Sequence, residues 1–452
     1  MYIYFVYLQL CMKNVIIFNN TFSGYVMKIR YFNCTVITMN ESNDIFVGEV
    51  HTQNDKIIYV GEPCEGGVFD KQYDLGGAVI MPGFKDCHCH SPMTLFRNYA
   101  DDLPLDTWLF EKIFPLEDQL TGDDVYWGTL LAVLEYLSSG ITAVGDMYFL
   151  DDHLAKAMAD SGMRCVFVKG MSDLGKNAND VLQNCEEAYH RINGKYPLVR
   201  YDLGVHAEYT VSRDLLKGAG CLAKKLGENI GIHLSESKKE VDECVAKYGR
   251  RPAFEVASHG TFDNGGLAYH CVYLDEDEMD LLRDKGVSIV TNPASNLKLG
   301  NGVAPLCKMV QKGLNVCIGT DGPASNNSLD MFREMYLAST LQKGISGDPS
   351  AMPAETVLKM ATVNGAKAMR LPDCDCIAVG KQADMVVISL DRPNVQPLAN
   401  IQKSIVYSAD KSNVKMTIIA GNVLYQDGYF NIGVDDQEIY KKCNEIVARF
   451  VK

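Results

Sequence analysis

Between residues 79 and 326 the chain alternates short apolar runs with longer amphipathic stretches. Eight runs recur: VIMPGFKDCHCH (79–90), GITAVGDMYF (140–149), RCVFVKGM (164–171), VRYDLGVHAEY (199–209), NIGIHLSES (229–237), GLAYHCVYL (266–274), GVSIVTNPASN (286–296) and LNVCIGTDGPASN (314–326). Their length and punctuation are those of buried strands. Between them lie stretches such as DDVYWGTLLAVLEYLSSG (123–140), whose Gly140 suits a helix C-cap, and DEDEMDLLRDKG (275–286), whose acidic start suits a helix N-terminus. Eight strand–helix units predict a (β/α)₈ barrel over residues 81–372. An open doubly wound sheet is the competing layout, but it would normally carry a Gly-rich phosphate turn after its first strand, and there is none.

The flanks are patterned differently. KIRYFNCTVITM (28–39), DIFVGEVHTQNDKIIYVGE (44–62) and YDLGGAVIMPGF (73–84) read as strands, and so do ADMVVISL (383–390), SIVYSAD (404–410) and VKMTIIAGNVLYQDGYF (414–430). Two strand-rich blocks around a long middle predict one small β-sandwich domain assembled from residues 27–80 and 373–430. The tail, 435–452, places Ile439, Cys443, Ile446 and Phe450 at helical spacing and reads as a terminal helix. Residues 1–26 open apolar, yet their uncharged run is too short to span a bilayer, and they lack the basic start and cleavage site of a signal peptide. They read as an extension outside the main fold, with Met27 as the natural beginning, against the alternative of an extra strand.

Composition narrows the class. The 452 residues are 47% hydrophobic and 22% charged, as in a soluble globular protein of one large and one smaller domain. A formal charge of −14 argues against a nucleic-acid polymer as partner. Fifteen cysteines scattered singly look like reduced thiols in a cytoplasm rather than a disulfide framework. No run is long and apolar enough for a membrane span.

Nine histidines carry most of the chemistry. His88 and His90 end the first run, His206 the fourth, His233 the fifth and His270 the sixth, so five of the nine sit at strand C-termini, the barrel face where active sites are built. Two apart on a strand, His88 and His90 project to one side and can grip one ion, with Cys87 and Cys89 expected to face the covering helices. The H-x-H pair is weak alone. Adding His233 at strand five and Asp321 at strand eight makes a plausible set for Zn²⁺ or Fe²⁺. An Asp-Gly pair ordinarily marks a turn, but the place of Asp321 at the end of the eighth run favours a ligand. Glu236, three residues beyond His233, is placed to act as a general acid rather than as a solvated loop residue.

The segments PGFKDCHCH, GIHLSES, LAYHC, TNPASNLKLGNGVAPL, GTDGPASNNSLDMFREM and GKQADMVVISL resemble the amidohydrolase superfamily in its aminohydrolase branch, and most of all the 5′-methylthioadenosine/S-adenosylhomocysteine deaminases. The resemblance runs from Met27 to about Gly428. It implies a (β/α)₈ barrel with a β-sandwich from both chain ends and one divalent metal, zinc or iron, held by His88, His90, His233 and Asp321. It further implies that Glu236 shuttles a proton and that His270 orients the attacking hydroxide, with Asp321 taking a proton from water. Binuclear relatives use a modified Lys at the end of strand four; here that strand ends in His206, and Lys169 belongs to strand three, so one metal is expected.

The motif RNYADDLPLDTWLFEKIFPLED (97–118) matches a family loop that supplies a Trp against the purine and a Glu for the ribose hydroxyls, here Trp108 and Glu117. The chemistry agrees, since an indole offers a flat apolar face and a carboxylate accepts two hydrogen bonds. His206 matches a histidine that contacts the nucleoside. Relatives that take S-adenosylhomocysteine hold its carboxylate with two Arg residues; Lys169 stands at the first position, and Val181, with Lys176 as the nearest cation, near the second. Lys lacks the bidentate fork of Arg, so methylthioadenosine, 5′-deoxyadenosine or adenosine is expected to be handled better. The expected activity is hydrolytic deamination of an adenine nucleoside. The alternatives are a deaminase of free guanine, 8-oxoguanine or cytosine, a triazine hydrolase, or a scaffold without activity. The sequence leaves open whether the protein forms a homo-oligomer.

Overall fold

The computed structural model describes residues 26–450, so the expected N-terminal extension lies, but for Val26, outside the described residues. Strands β1 (Lys28–Ile37), β2 (Ile45–Gln53), β3 (Lys56–Gly61), β4 (Lys71–Asp74) and β5 (Val79–Pro82) precede the barrel. The barrel strands are β6 (Phe84–Cys89), β7 (Ile141–Tyr148), β8 (Arg164–Lys169), β9 (Val199–Ala207), β10 (Ile230–Leu234), β11 (Gly266–His270), β12 (Val287–Thr291) and β13 (Asn315–Ile318). After them come β14 (Met385–Ile388), β15 (Val414–Ile419), β16 (Asn422–Gln426) and β17 (Tyr429–Phe430).

β6 to β13 are parallel neighbours in chain order. The ring is drawn together between β13 and β6, where the Asp321 N–H donates to the His88 carbonyl oxygen and the Thr320 N–H to Asp86 Oδ1, each at 2.8 Å. Alternation along the strands sends Val166, Tyr269, Val290 and Cys317 into the barrel interior, while Cys165, Ala268, Ile289 and Val316 meet the surrounding helices. The helix Gly122–Ser138 begins in a capping box between Thr121 and Asp124 and ends before Gly140, whose φ of +78° few side chains tolerate.

The strands from both chain ends form one mixed sheet of nine strands, in the order β17-β16-β15-β14-β5-β1-β2-β3 with β4 beside β1. It has a core of its own, including Tyr31, Val36, Ile57, Val387 and Met416. The run at 79–90 is divided at Gly83, its first part joining this sheet and its second opening the barrel. The helix Asp436–Phe450 buries Ile439, Cys443 and Ile446, and Cys443 Sγ lies 3.4 Å from the Trp127 carbonyl oxygen on the helix Gly122–Ser138.

Two expectations need correction. SIVYSAD is not a strand: Ile401–Tyr407 is a helix, because Asn400 caps the Lys403 N–H and Gln402, Ile405 and Val406 bury one face. Nor do both first-strand cysteines face the helices. Cys89 does, but Cys87 packs in the barrel interior with Tyr269 and Cys317. The register of β6 against β7 slips between Asp86 and Cys89, and that irregularity breaks the two-residue alternation.

Candidate functional site

The five strand-end histidines converge. His88 and His233 bring their Nε2 atoms to 3.1 Å, and Asp321 Oδ1 lies 3.5 Å from His88 Nε2 and 3.2 Å from His90 Nε2. The rings of His233 and His270 stack with centroids 5.4 Å apart. The donor atoms of His88, His90 and Asp321 lie within 4.8 Å of one another, as do those of His88, His233 and His270.

The backbone aims these groups. His90 Nδ1 donates to the Met147 carbonyl oxygen at 2.5 Å and His233 Nδ1 to that of His206 at 2.6 Å, which turns both Nε2 atoms inward. The ladder slips at His233, so that Ile232 pairs with Val205 but His233 with Ala207, and His206 is the bulged residue between them. Asp321 Oδ2 accepts from Ser295 Oγ at 2.5 Å and Ser325 Oγ at 2.8 Å, so Oδ1 is turned to the imidazoles. Gly319 lets the chain pass: a Cβ there would lie 2.8 Å from both the backbone N and the Cβ of His88. Ser235, His270, Cys271 and Asp321 all have positive φ, and this concentration of strained backbone at one barrel mouth is typical of a functional site.

Electrostatics suit a cation. Burial pushes His88 down to about 3. For His90 the effect of burial is outweighed by Asp321, which pushes the imidazole up to about 9. Burial opposes ionisation of Asp321 too, yet the imidazoles of His88 and His90 hold its carboxyl well below the usual range. A carboxylate that draws a proton into a neighbouring ring is one that a divalent ion can serve instead, and borderline nitrogen and oxygen donors fit zinc or iron. His88 Nδ1 makes no hydrogen bond with any described residue.

Glu236 follows on the turn after β10. Its Oε1 accepts from Asn301 Nδ2 at 2.8 Å and lies 3.8 Å from His270 Nδ1. Burial raises its pKa, partly offset by His270. The turn is clamped by the buried Glu240, whose two oxygens accept the backbone N–H groups of Ser235 and Glu236 at 2.7 and 2.8 Å. His270 Nδ1 donates to Asn296 Oδ1 at 2.8 Å.

Beside this cluster opens a cavity of about 570 Å³ whose wall includes Trp108, Glu117, Lys169, His206, Glu236 and Asp321. Trp108 lies on a wide helical turn, Thr107–Ile113, and Glu117 on the short helix after it. Trp108 Nε1, Glu117 Oε1 and Tyr148 Oη are buried and border the cavity; none has a partner in good hydrogen-bonding geometry among the described residues, although the Tyr148 hydroxyl faces Glu117 closely enough to favour its carboxylate. Buried polar atoms are seldom left so, and their gathering marks a surface built for a polar ligand. Burial pushes Glu117 up to about 7, and burial with a contribution from His90 pushes His206 down to about 4. His206 Nδ1 lies 3.1 Å from Thr210 Oγ1. Lys169 is ion-paired with Asp151 at 2.6 Å.

Sequence reasoning missed Asn301, Asn296, Ser295, Ser325, Glu240 and Tyr148. Four of these lie in the quoted segments TNPASNLKLGNGVAPL and GTDGPASNNSLDMFREM, and a polar residue recurring in an otherwise apolar strand-end segment is the signal that could have found them. A second donor group, Glu49, His51 and Cys64, sits in the β domain. It is a closed network: Glu49 accepts from His51 at 2.7 Å and Cys64 at 3.2 Å, and Arg30 neutralises it.

Comparison with known proteins agrees with this architecture. Residues 79–424 match the Amidohydrolase family. The 5-methylthioadenosine/S-adenosylhomocysteine deaminase of Caldanaerobacter subterraneus subsp. tengcongensis is 39% identical over 430 residues, covering 94% of this chain and 99% of its own. The 5′-deoxyadenosine deaminase of Methanothermobacter thermautotrophicus is 41% identical over 389 residues, 85% of this chain and 91% of its own. The crystal structure of an adenosine deaminase from Xanthomonas campestris with bound zinc superposes with a TM-score of 0.89 at 31% identity, covering 94% of this chain and 98% of the other. The chain therefore belongs to the amidohydrolase family.

Proposed function

We propose that this chain is a metal-dependent hydrolase that deaminates adenine nucleosides, consuming water and releasing ammonia and the inosine analogue. One observation carries the reading: a single cavity joins the His–Asp cluster and Glu236 to the unpartnered Trp108, Glu117 and Tyr148. The names of the three relatives described above, each a deaminase of an adenine nucleoside, support it.

His88, His90, His233 and Asp321 would hold one divalent ion such as zinc, the metal bound in the related adenosine deaminase. When bound, such an ion supplies the Lewis acidity that makes water a nucleophile at neutral pH. The remaining work falls to side chains. Asp321, its Oδ2 pinned by two serines, accepts a proton from the attacking water. Glu236, kept protonated more readily by burial, donates to N1 as oxygen joins C6, so negative charge does not build up on the ring. His270, fixed by Asn296, is directed to orient the incoming oxygen. Ammonia leaves after a further proton transfer. Trp108 covers the base, His206 in its neutral form can donate to or accept from the nucleoside, and Glu117 accepts from the ribose hydroxyls. The fourteen unpaired cysteines among the described residues support a reducing compartment such as the cytoplasm.

An ammonia-release screen of the zinc-loaded protein tests the reading across adenosine, 5′-deoxyadenosine, methylthioadenosine, S-adenosylhomocysteine, guanine and 8-oxoguanine. Turnover of the nucleosides alone is expected. Turnover of the free bases alone would overturn the ribose role of Glu117.

A further inference from the structure

We propose that Asp151 is a specificity-determining residue: by neutralising Lys169 it takes the cation at the end of β8 out of play and fits that part of the cavity to nucleosides with a small, uncharged 5′ substituent. The inference rests on the nucleoside reading above.

Among the residues bordering the cavity, Lys169 and Lys176 supply the cations. Lys169 Nζ lies 2.6 Å from Asp151 Oδ1, and the other oxygen of Asp151 accepts from Tyr201 Oη at 3.1 Å. Asp151 is buried and stands in the first turn of the helix Asp151–Ser161, at the positive end of the helix dipole. The pair is thus held from three sides and is neutral overall. Lys176, by contrast, is exposed on the segment that follows β8. The wall around the pair is largely apolar, with Phe149, Met171, Leu174 and Val181.

The proposal sets the sugar between Glu117 and the end of β8. Tyr148 is the register partner of Lys169, so the two stand roughly 5 Å apart across adjacent strands. Tyr148 is also the electrostatic neighbour of Glu117. A ribose whose 2′ and 3′ hydroxyls meet Glu117, with its base turned to Glu236 and the imidazoles, has its 5′ carbon at the other end of the sugar, facing β8. A methyl or thioether group there meets apolar side chains. An amino-acid group would present a carboxylate to a lysine already committed to a buried aspartate, without the fork with which an arginine could serve two partners.

The test compares kcat/KM for S-adenosylhomocysteine and 5′-methylthioadenosine in the zinc-loaded enzyme. Asp151→Asn keeps the shape and an acceptor for Tyr201 but frees the ammonium, and should raise the ratio by about fivefold or more. In Asp151→Asn combined with Lys169→Met the ratio should return to within about twofold of wild type, because the gain runs through the ammonium. An unchanged ratio in an Asp151→Asn enzyme that still turns over methylthioadenosine would overturn the inference, as would a gain that survives in the double variant. Asp151→Ser serves the same comparison if the first variant folds poorly. A wild type that releases ammonia from neither nucleoside overturns the nucleoside reading instead.

Discussion

Asn301 donates a 2.8 Å hydrogen bond from Nδ2 to Oε1 of Glu236, across 65 residues of chain. The bond fixes one carboxyl oxygen and leaves the other to carry the proton that the proposed reaction delivers to N1. Asn301→Ala should therefore lower kcat by about ten- to a hundredfold with little change in KM, in the range seen when the partner of a reacting group is removed. A neutral donor stabilises the carboxylate, so its loss raises the Glu236 pKa further. Since the role proposed for Glu236 is that of a proton donor, the alkaline limb of the kcat profile should move to higher pH. Glu236→Gln should keep its metal, measured by atomic absorption, while losing turnover by about 10²- to 10⁴-fold. Near-normal turnover of adenosine by that variant would sink the assignment.

Ser295 and Ser325 both donate to Asp321 Oδ2, while Oδ1 faces the imidazoles of His88 and His90. Removing both hydroxyls frees the carboxylate to rotate away from the imidazoles. Ser295→Ala with Ser325→Ala should weaken zinc retention about ten- to a hundredfold in competition with a chromogenic chelator. Circular dichroism should be unchanged, since the alanines occupy less volume in place. Retention equal to wild type would mean that the backbone of the strained turn alone orients Asp321.

The legibility of this chain followed period. Eight apolar runs mapped onto β6 to β13 because each is short, bounded by breakers and followed by a 3.6-residue pattern that cannot be mistaken for a strand. SIVYSAD misled because β-branched Ile405 and Val406 carry a local strand preference that a polar residue outside the quoted window, the capping Asn400, overrides. The sides of Cys87 and Cys89 were hidden because a register slip depends on the neighbouring strand, which no local window contains. The histidines were visible as a rare residue type at strand ends, and Asp321 by its place at the end of the eighth run. The serines and asparagines that hold them were not, since such residues usually mark turns and caps, and only the fold brings them together.

Glu117 predicts a pH dependence of binding. Burial dominates in pushing its carboxyl up to about 7, with Tyr148 and His90 pulling the other way. Below that value it is mostly protonated and can accept less well from two hydroxyls; above it the carboxylate forms. KM for adenosine should therefore fall as pH rises from about 6 to about 8, by up to about tenfold for one ionisation. With 2′,3′-dideoxyadenosine, which lacks both hydroxyls, the profile should be flat, and Glu117→Gln should flatten it for adenosine. Equal slopes for the two nucleosides in the wild type would show that another group governs binding.

Arg164 and Asp384 join the barrel to the sheet built from the chain ends. Arg164 Nε donates to Oδ2 at 2.6 Å and its NH2 group to Oδ1 at 2.9 Å, and Asp384 also accepts the Ala420 N–H at 2.8 Å. Both residues are buried, and burial, which alone would raise the Asp384 pKa, is outweighed by Arg164, which holds it below the ordinary value. Removing the cation strands a carboxylate away from water, and Arg164→Ala should cost about 3 to 5 kcal/mol in urea unfolding. The same reasoning fixes the sign of the pH effect. An aspartate with a depressed folded pKa contributes stability above its unfolded pKa near 3.9, and that contribution is lost as pH falls through the folded value. Arg164→Ala should therefore lose most stability relative to wild type at neutral pH and much less in acid, where Asp384 can take a proton. Arg164→Met combined with Asp384→Leu, which removes both charges, should recover part of the loss. A single variant as stable as wild type would mean that water reaches Asp384 when Arg164 is gone.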